Sequence, residues 1–213
     1  MPPQTLAQLK QQEKDARRQL IRNAARDLFA LKDFQAVTVR EIARRAGVGV
    51  GTIYNYYENL DELFLDIFFK DAEELVKEID AETAKQTPSL PQLCRIYVSY
   101  LYRNMTFYQM MGHFMLGGEP GPAATGRLNT LMRDLMDRIE GVIRKTTPVG
   151  ENPRSYAHAL FAALNGIMIS YARYPGRTEA DIRRHTHRLA DIIASLFAAG
   201  KNPPADGNGY SSR

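Results

Sequence analysis

The chain has 213 residues, of which 44% are hydrophobic and 24% charged, with one cysteine and a net charge of +4. This composition excludes wholesale disorder, an internal disulfide and a cysteine-based zinc cluster, and no apolar stretch reaches the ~18–20 residues of a membrane span. The start of the chain lacks the apolar core of a signal peptide, so we expect a soluble cytoplasmic protein of one or two domains.

Charge is distributed unevenly along the chain. Residues 1–58 carry ten Lys and Arg against six Asp and Glu, whereas residues 59–85 carry three against nine. A basic N-terminal block followed by an acidic segment suits a polyanionic partner. A solvated charged surface explains the same pattern equally well, so charge alone does not decide the function.

Helical periodicity dominates the chain, and no segment alternates with a period of two. Apolar residues recur at three- and four-residue spacing over residues 10–32, which predicts the first helix. Asn59 with Glu62 predicts a capped helix start, and the amphipathic pattern extends from there to Ile79. The turn residues 87–89 end this pattern.

The second half of the chain is also predicted to be helical. The glycine-rich stretch 112–126 is interpreted as a loop, and the small, polar tail 201–213 as disordered. The predicted helices are residues 90 to about 108, a short helix ending near 116, 127–147, 152 to about 174 and 178 to about 199. We therefore expect an all-α fold of about nine helices, with a small N-terminal unit and a larger C-terminal one.

The most informative stretch is residues 37–56. A helix-turn-helix needs a small residue where its helices touch, a turn residue that tolerates positive φ, and apolar inner faces. Ala43, Gly47 and Ile53 meet these requirements at the right spacing. Thr38 and Glu41 add a capping box at the start of the first helix of this motif. A structural helical hairpin would meet fewer of these constraints, so the pattern favours DNA binding.

The stretch from about Asp15 to Leu75 resembles the N-terminal domain of the TetR (tetracycline-repressor) family of bacterial transcriptional regulators, above all in the run TVREIARRAGVGVGTIYNYYENLDELF, residues 38–64. The resemblance covers roughly the first third of the chain. It implies an all-helical homodimer that binds a palindromic operator. It also implies that a small molecule bound to the C-terminal domain releases the operator.

The exposed face of the second motif helix is expected to enter the major groove. Asn55 can contact base edges or phosphate, while the hydroxyls of Tyr54 and Tyr56 suit phosphate oxygens. Tyr57 is interpreted as a core residue instead. The predicted DNA-binding set is Thr38, Arg40, Arg44, Val50, Gly51, Thr52, Tyr54, Asn55 and Tyr56.

Two positions depart from the family pattern. Gly49 stands where the family often has Ser, and Leu60 stands where it usually has Lys, so two phosphate partners are missing. Basic residues of the first helix could compensate, although a solvated helix face is an equally good interpretation. These basic residues are Lys10, Lys14, Arg17, Arg18 and Arg22.

The C-terminal region carries no catalytic signature. The glycine spacing of residues 121–126 lacks the Lys and Ser or Thr of a phosphate loop. His185 and His187 lie on different helix faces without acidic partners for a metal, and Cys94 is interpreted as a core thiol. We therefore expect no enzyme activity, no metal site and no cofactor.

Residues 97–116 are dense in Met and aromatic side chains, which adapt to apolar ligands. An ordinary core stripe explains each residue taken singly. Together with the resemblance they favour a cavity for an apolar or amphipathic effector. The predicted ligand-binding set is Tyr97, Leu101, Phe107, Met110, Met111, His113, Phe114, Met132, Asn165, Met168 and Tyr171.

The last two long helices have broader apolar faces than one core requires, which predicts a homodimer through residues 153–199. The residues expected at this interface are Ala159, Leu160, Ala163, Leu164, Ile167, Ile182, Leu189, Ile193 and Leu196.

These observations combine into one hypothesis: a dimeric, ligand-responsive repressor that binds double-stranded operator DNA and no membrane. The predicted organisation is a DNA-binding domain over 1–58, a linking helix over 59–85, a ligand-binding and dimerisation domain over 86–200, and the tail. A structural DNA-binding protein without a ligand is the alternative.

Overall fold

The computed structural model describes residues 5–116, 120–147 and 152–199. This part of the chain is helical and contains no strand, which confirms the all-α prediction. The predicted disordered tail lies outside the described residues. Besides a short 3-10 helix, Phe34–Ala36, the described helices are α1 Leu6–Phe29, α2 Val39–Ala46, α3 Val50–Tyr54, α4 Leu60–Thr83, α5 Leu90–Arg103, α6 Met105–Leu116, α7 Pro122–Thr146, α8 Pro153–Tyr171 and α9 Glu179–Ala198.

Side-chain caps explain where several helices begin. The Asn152 side chain accepts a hydrogen bond from the Ser155 amide at 3.2 Å and opens α8, with Pro153 in the first turn. Thr178 accepts one from the Asp181 amide at 3.2 Å and opens α9. Each cap satisfies one of the amides that have no partner within the helix. The predicted starts of these two helices are therefore confirmed.

Two predicted boundaries are wrong. The single helix expected over residues 90–108 is two helices, because Asn104 leaves helical geometry at φ −119° and ψ 59°. Its side-chain amide donates to the Tyr100 carbonyl at 3.0 Å, a local bond that competes with helix continuation. Residues 122–126 were expected in a loop but form the first turns of α7, because Pro122 suits the first helical position.

The described residues fall into two compact units. The first is drawn from Met1–Asp71 with Thr106–Pro120, and the second from Ala72–Met105 with Gly121–Arg213. Helix α4 therefore contributes to both units, and nearly all of α6 belongs to the first. The domain boundaries predicted at residues 58 and 85 stay predictions.

The first unit has an aromatic and aliphatic core. Ile21, Ile42, Leu63 and Ile67 are fully buried, and they come from α1, α2 and α4. The ring of Phe107 on α6 stacks on Phe68 of α4 with centroids 4.9 Å apart, and the Phe114 ring meets Phe68 edge-on. Aromatic pairs of this kind add stability beyond the area that they bury.

The second unit has its core among α5, α7, α8 and α9. Leu160 and Leu164 of α8 are 0% and 1% exposed, and Ile167 and Ile182 are also buried. These four residues were expected at a dimer interface, but they pack inside their own unit. Cys94 lies in the same core, and burial raises the pKa of its thiol to about 12, as expected of an inert core cysteine.

No helix in the described ranges is long and apolar enough to cross a membrane.

Candidate nucleic-acid interface

The turn between α2 and α3 follows directly from its glycine. Gly47 has φ +68° and ψ 30°, a left-handed conformation that side chains other than glycine adopt at a cost. Its amide donates to the Arg44 carbonyl at 3.3 Å, and the Val48 amide donates to the Ala43 carbonyl at 3.0 Å. These two bonds form a Schellman motif that ends α2 and starts the turn.

The inner faces of the two motif helices are buried. Ala43 is 3% exposed and Ile53 is 2% exposed, and Ile42 and Val37 are buried beside them. The small side chain of Ala43 lets α3 approach α2 closely. The prediction of a helix-turn-helix over residues 37–56 is confirmed at each of the positions that carried it.

The start of α2 is held by reciprocal hydrogen bonds. The Thr38 hydroxyl accepts from the Glu41 amide at 3.3 Å, while the Thr38 amide and hydroxyl both donate to the Glu41 carboxylate at 2.9 Å. Lys32 binds the same carboxylate at 2.8 Å. The bonds from Lys32 and then Thr38 lower the pKa of Glu41 to about 2. Thr38 would have to release Glu41 before its hydroxyl could donate to a phosphate.

The outer face of the motif is open to solvent. Tyr54 is 54% exposed and Val50 38%, and Gly51 and Asn55 are exposed beside them. Thr52 and Tyr56 are half-buried and lie at the edge of this face. The predicted DNA-binding residues of α3 and its C-terminal end are therefore at the surface or its margin, available to a groove.

Two arginines of α2 have no carboxylate partner among the described residues. Arg40 and Arg44 are exposed and four residues apart, hence on one side of the helix. Arg45 differs, because its guanidinium binds Asp27 of α1 at 2.8 Å. Unpaired guanidiniums next to an exposed recognition helix are suited to bind phosphate.

A charged cluster beneath the motif fastens α1 to α4. Asp66 accepts hydrogen bonds from the Tyr57 hydroxyl at 2.7 Å, from Arg22 at 3.0 Å and from Arg18 at 3.1 Å. The Arg18 guanidinium also lies over the Tyr57 ring, 5.3 Å from its centroid. Tyr57 is 1% exposed, as expected of a core residue. Arg18 and Arg22 are thus engaged in the fold, and the exposed Arg17 pairs with Glu13. Of the predicted basic set, Lys10 and Lys14 are exposed and have no ion pair among the described residues.

The cluster shifts the ionisation of its members. Burial would raise the pKa of Asp66, but hydrogen bonds from Tyr57 and Arg22 and the charges of both arginines outweigh it and lower the pKa. Burial and the neighbouring Asp66 raise the pKa of the Tyr57 phenol. The sequence prediction missed this cluster, although an Asp amid the apolar residues of α4 was a visible signal.

The two departures from the family pattern lie where they were expected. Gly49 is the N-cap of α3 and offers no side-chain cap. Leu60 is the first residue of α4 and is half-buried. Neither glycine nor leucine has a side-chain donor for a phosphate oxygen.

The predicted ligand-binding residues are divided between the two units. Tyr97 and Asn165 do come together, with the Asn165 amide donating to the Tyr97 hydroxyl at 3.0 Å. Tyr171 lines a cavity of about 410 Å³ with Tyr174 and His185. The members in the first unit are Phe107, Met110, Met111, His113 and Phe114; those in the second are Tyr97, Leu101, Met132, Asn165, Met168 and Tyr171.

Most of these side chains have packing partners within their own unit. Met110 and Leu101 are fully buried, and Phe107 stacks on Phe68. His113 contacts the Gln35 side chain at 3.0 Å. This packing supports the alternative of an ordinary core, and the ligand-binding role of the set stays a prediction.

Comparison with known proteins identifies the N-terminal part of the chain. Residues 21–67 match the family model described as bacterial regulatory proteins, tetR family. The uncharacterized HTH-type transcriptional regulator YhgD of Bacillus subtilis (strain 168) is 37% identical over 75 residues. That match covers 35% of this chain and 38% of YhgD, so the chain spans under two fifths of this relative's length.

Solved structures share the fold over most of the chain. A transcriptional regulator from Rhodococcus sp. Rha1 has a TM-score of 0.69 at 17% identity, covering 84% of this chain and 95% of that one. NalD, the secondary repressor of the MexAB-OprM multidrug efflux pump in Pseudomonas aeruginosa, has a TM-score of 0.63 at 22% identity, covering 88% and 98%. Such low identities establish the fold alone.

The all-α architecture and the N-terminal helix-turn-helix define the class of bacterial helix-turn-helix regulators. Within this class, residues 21–67 match the tetR family, and the chain shares its fold with solved regulators of that family. The proteins of this family are transcriptional regulators and not enzymes, which confirms the prediction that the chain is not an enzyme.

Proposed function

We propose that the protein is a homodimeric transcriptional repressor that binds a palindromic operator and is released from it by a small-molecule effector. The observation that carries the proposal is the exposed face of the helix-turn-helix, defined by Arg40, Arg44, Gly51, Tyr54 and Asn55. This face combines two arginines that have no ion pair in the described part of the chain, a close-approach glycine and hydrogen-bonding side chains on a buried scaffold.

The residues of this face take different parts in binding. Arg40 and Arg44 neutralise phosphates, and the hydroxyls of Tyr54 and Tyr56 position the helix on the backbone. Asn55 reads a base edge. The remaining members of the proposed DNA-binding set, which support or extend these contacts, are Thr38, Val50, Gly51 and Thr52.

Dimerisation is proposed to use an apolar surface that the protomer leaves exposed on α8 and α9. Ile169 is 76% exposed and Leu196 65%, and Ile192 is 46% exposed. On α8, Ala159, Ala162 and Gly166 are also exposed. We call these six residues the α8–α9 face. Small residues three and four apart let a second helix approach closely, so two copies of the pair can form a four-helix contact.

Release by an effector requires no new contact at the motif. A ligand that binds one of two pre-existing conformations better than the other lowers operator affinity by its differential affinity, commonly ~1–3 kcal/mol. The effector is proposed to be a small amphipathic molecule.

Replacing Arg44 by Ala is expected to weaken operator binding, because one phosphate contact disappears. The negative slope of the logarithm of the association constant against the logarithm of the salt concentration should become less steep by about one. The matched control is Arg45→Ala on the same helix, whose guanidinium already binds Asp27. Its slope should stay at the wild-type value. Fluorescence anisotropy over a salt series measures both, and equal slopes for all three proteins would remove Arg44 from the interface.

A further inference from the structure

The second unit contains a larger cavity that none of the predicted ligand residues lines. Its volume is about 840 Å³, within the range of sites for small organic molecules. The end of α5, the residues just after α8 and the first turns of α9 line this half-open cavity. Tyr102, Met105, Ala172 and Ile182 supply its apolar wall, and Ala172 and Ile182 are each 8% exposed.

Two arginines are placed beside this apolar wall. Arg173 and Arg183 both line the cavity, and neither guanidinium has an ion pair within the described part of the chain. A third, Arg103, is held by Glu78 at 2.7 Å. Among the described residues of the lining, Glu179 is the one carboxylate, so Arg173 and Arg183 leave an excess of positive charge.

A neutral hydrogen-bonding pair completes the polar side. Ser99 Oγ and His187 Nε2 are 2.7 Å apart, and both residues line the cavity. Burial lowers the pKa of His187, and the positive charges of Arg95 and Arg183 lower it further, although Asp191 opposes them. The imidazole is therefore uncharged at neutral pH, and Arg95 itself is bound by Asp191 at 2.6 Å.

We propose that this cavity binds a small amphipathic carboxylate. A guanidinium offers a planar fork that matches a carboxylate, and two forks beside an apolar wall select a molecule with one anionic end. A cationic ligand would meet two positive charges, and an uncharged one would leave both arginines unused. The cavity lies apart from the α8–α9 face, since no residue of that face lines it.

The assignment gives the effector of the proposed repressor a chemical class, and its regulatory consequence rests on that proposed function. Binding of a carboxylate in the cavity does not depend on the repressor function. The test is therefore made on the full chain without DNA, by isothermal titration with three probes of equal chain length: decanoate, decan-1-ol and decylamine. The two ionic probes are kept below their micelle concentrations and the alcohol below its solubility limit. Decanoate is expected to bind, and the other two are expected to bind at least about tenfold more weakly.

Variants locate the site. Arg173→Gln and Arg183→Gln should each weaken decanoate binding by about tenfold or more, because each loses a charge-assisted hydrogen bond. The control is Arg184→Gln: Arg184 is the neighbour of Arg183 on α9, is paired with Asp181 and does not line the cavity. It should bind decanoate like the wild type. Thermal unfolding without ligand should be the same for all three variants, because these arginines are exposed.

Two results would overturn the assignment: equal binding of decanoate and decan-1-ol, or decanoate binding that Arg173→Gln and Arg183→Gln leave unchanged. The proposed function is tested separately by operator binding without any probe. Binding of decanoate without binding of any operator would support the carboxylate site and contradict the proposed repressor function. Binding of an operator without binding of decanoate would contradict only the carboxylate site and leave the proposed repressor function in place.

Discussion

Replacing Ile169 by Glu is expected to convert the dimer to a monomer and to lower operator affinity by at least about 100-fold. Ile169 is 76% exposed in the protomer, so the substitution costs the folded chain little. In the proposed dimer it would bury a carboxylate without a partner, which costs about 3 kcal/mol or more. Analytical ultracentrifugation gives the oligomeric state, and circular dichroism should show unchanged helicity.

The matched control for oligomeric state is Leu31→Glu. Leu31 is 75% exposed, almost the same as Ile169, but it lies in the first unit, just after α1. It should remain a dimer. A dimer that survives Ile169→Glu, at a concentration where Leu31→Glu behaves identically, would place the interface away from the α8–α9 face.

Replacing Asp66 by Asn is expected to lower the free energy of unfolding by about 2–4 kcal/mol, because Arg22 loses its charged partner in a buried setting. The Arg22 and Asp66 side chains are only 10% and 16% exposed. The control is Asp27→Asn, which breaks the exposed pair with Arg45 and should cost at most about 1 kcal/mol. Denaturant unfolding followed by circular dichroism compares them.

The same substitution should change the response to acid. The pKa of Asp66 is lower in the folded chain than its ordinary value near 4, so its stabilisation is complete above that value. This stabilisation is lost as the pH falls through the lower folded pKa. The wild type should therefore lose stability more steeply below about pH 4 than Asp66→Asn. If Asp66→Asn and Asp27→Asn lowered the free energy of unfolding equally at neutral pH, the stabilising role of the Asp66 cluster would be contradicted.

The helix-turn-helix was predictable because its determinants are local. A capping box joins Thr38 to Glu41, and the turn depends on Gly47 alone. The cluster around Asp66 was not predictable, because Arg18 and Asp66 are 48 positions apart in the sequence. Only the packing of α1 against α4 brings them together.

Other misses have equally physical causes. The apolar pattern runs through Asn104 without interruption, so periodicity alone does not reveal the end of α5. Apolar stripes on α8 and α9 predict burial, but they do not distinguish packing inside the same unit from packing against a second protomer. For this reason Leu160 and Leu164 were assigned to a dimer interface.

The cavity with Arg173 and Arg183 was also beyond sequence reasoning. Its lining extends from Ser99 to His187. Tyr102 and Met105 of the stretch 97–116 supply part of its apolar wall, but the preference for an anion comes from Arg173 and Arg183. Residues of this kind form no sequence pattern until α5 and α9 are packed side by side.

The central claim is that the exposed face of the helix-turn-helix reads a specific operator. It is tested most directly by selecting random double-stranded oligonucleotides with the full chain and with Asn55→Ala. The wild type should enrich a two-fold symmetric sequence with half-site centres about one helical turn apart or a multiple of it. Asn55→Ala should lose about 1–3 kcal/mol of preference at one position in each half-site and keep the rest of the motif. Binding that enriches no sequence, or an Asn55→Ala variant that selects the wild-type motif unchanged, would contradict the account.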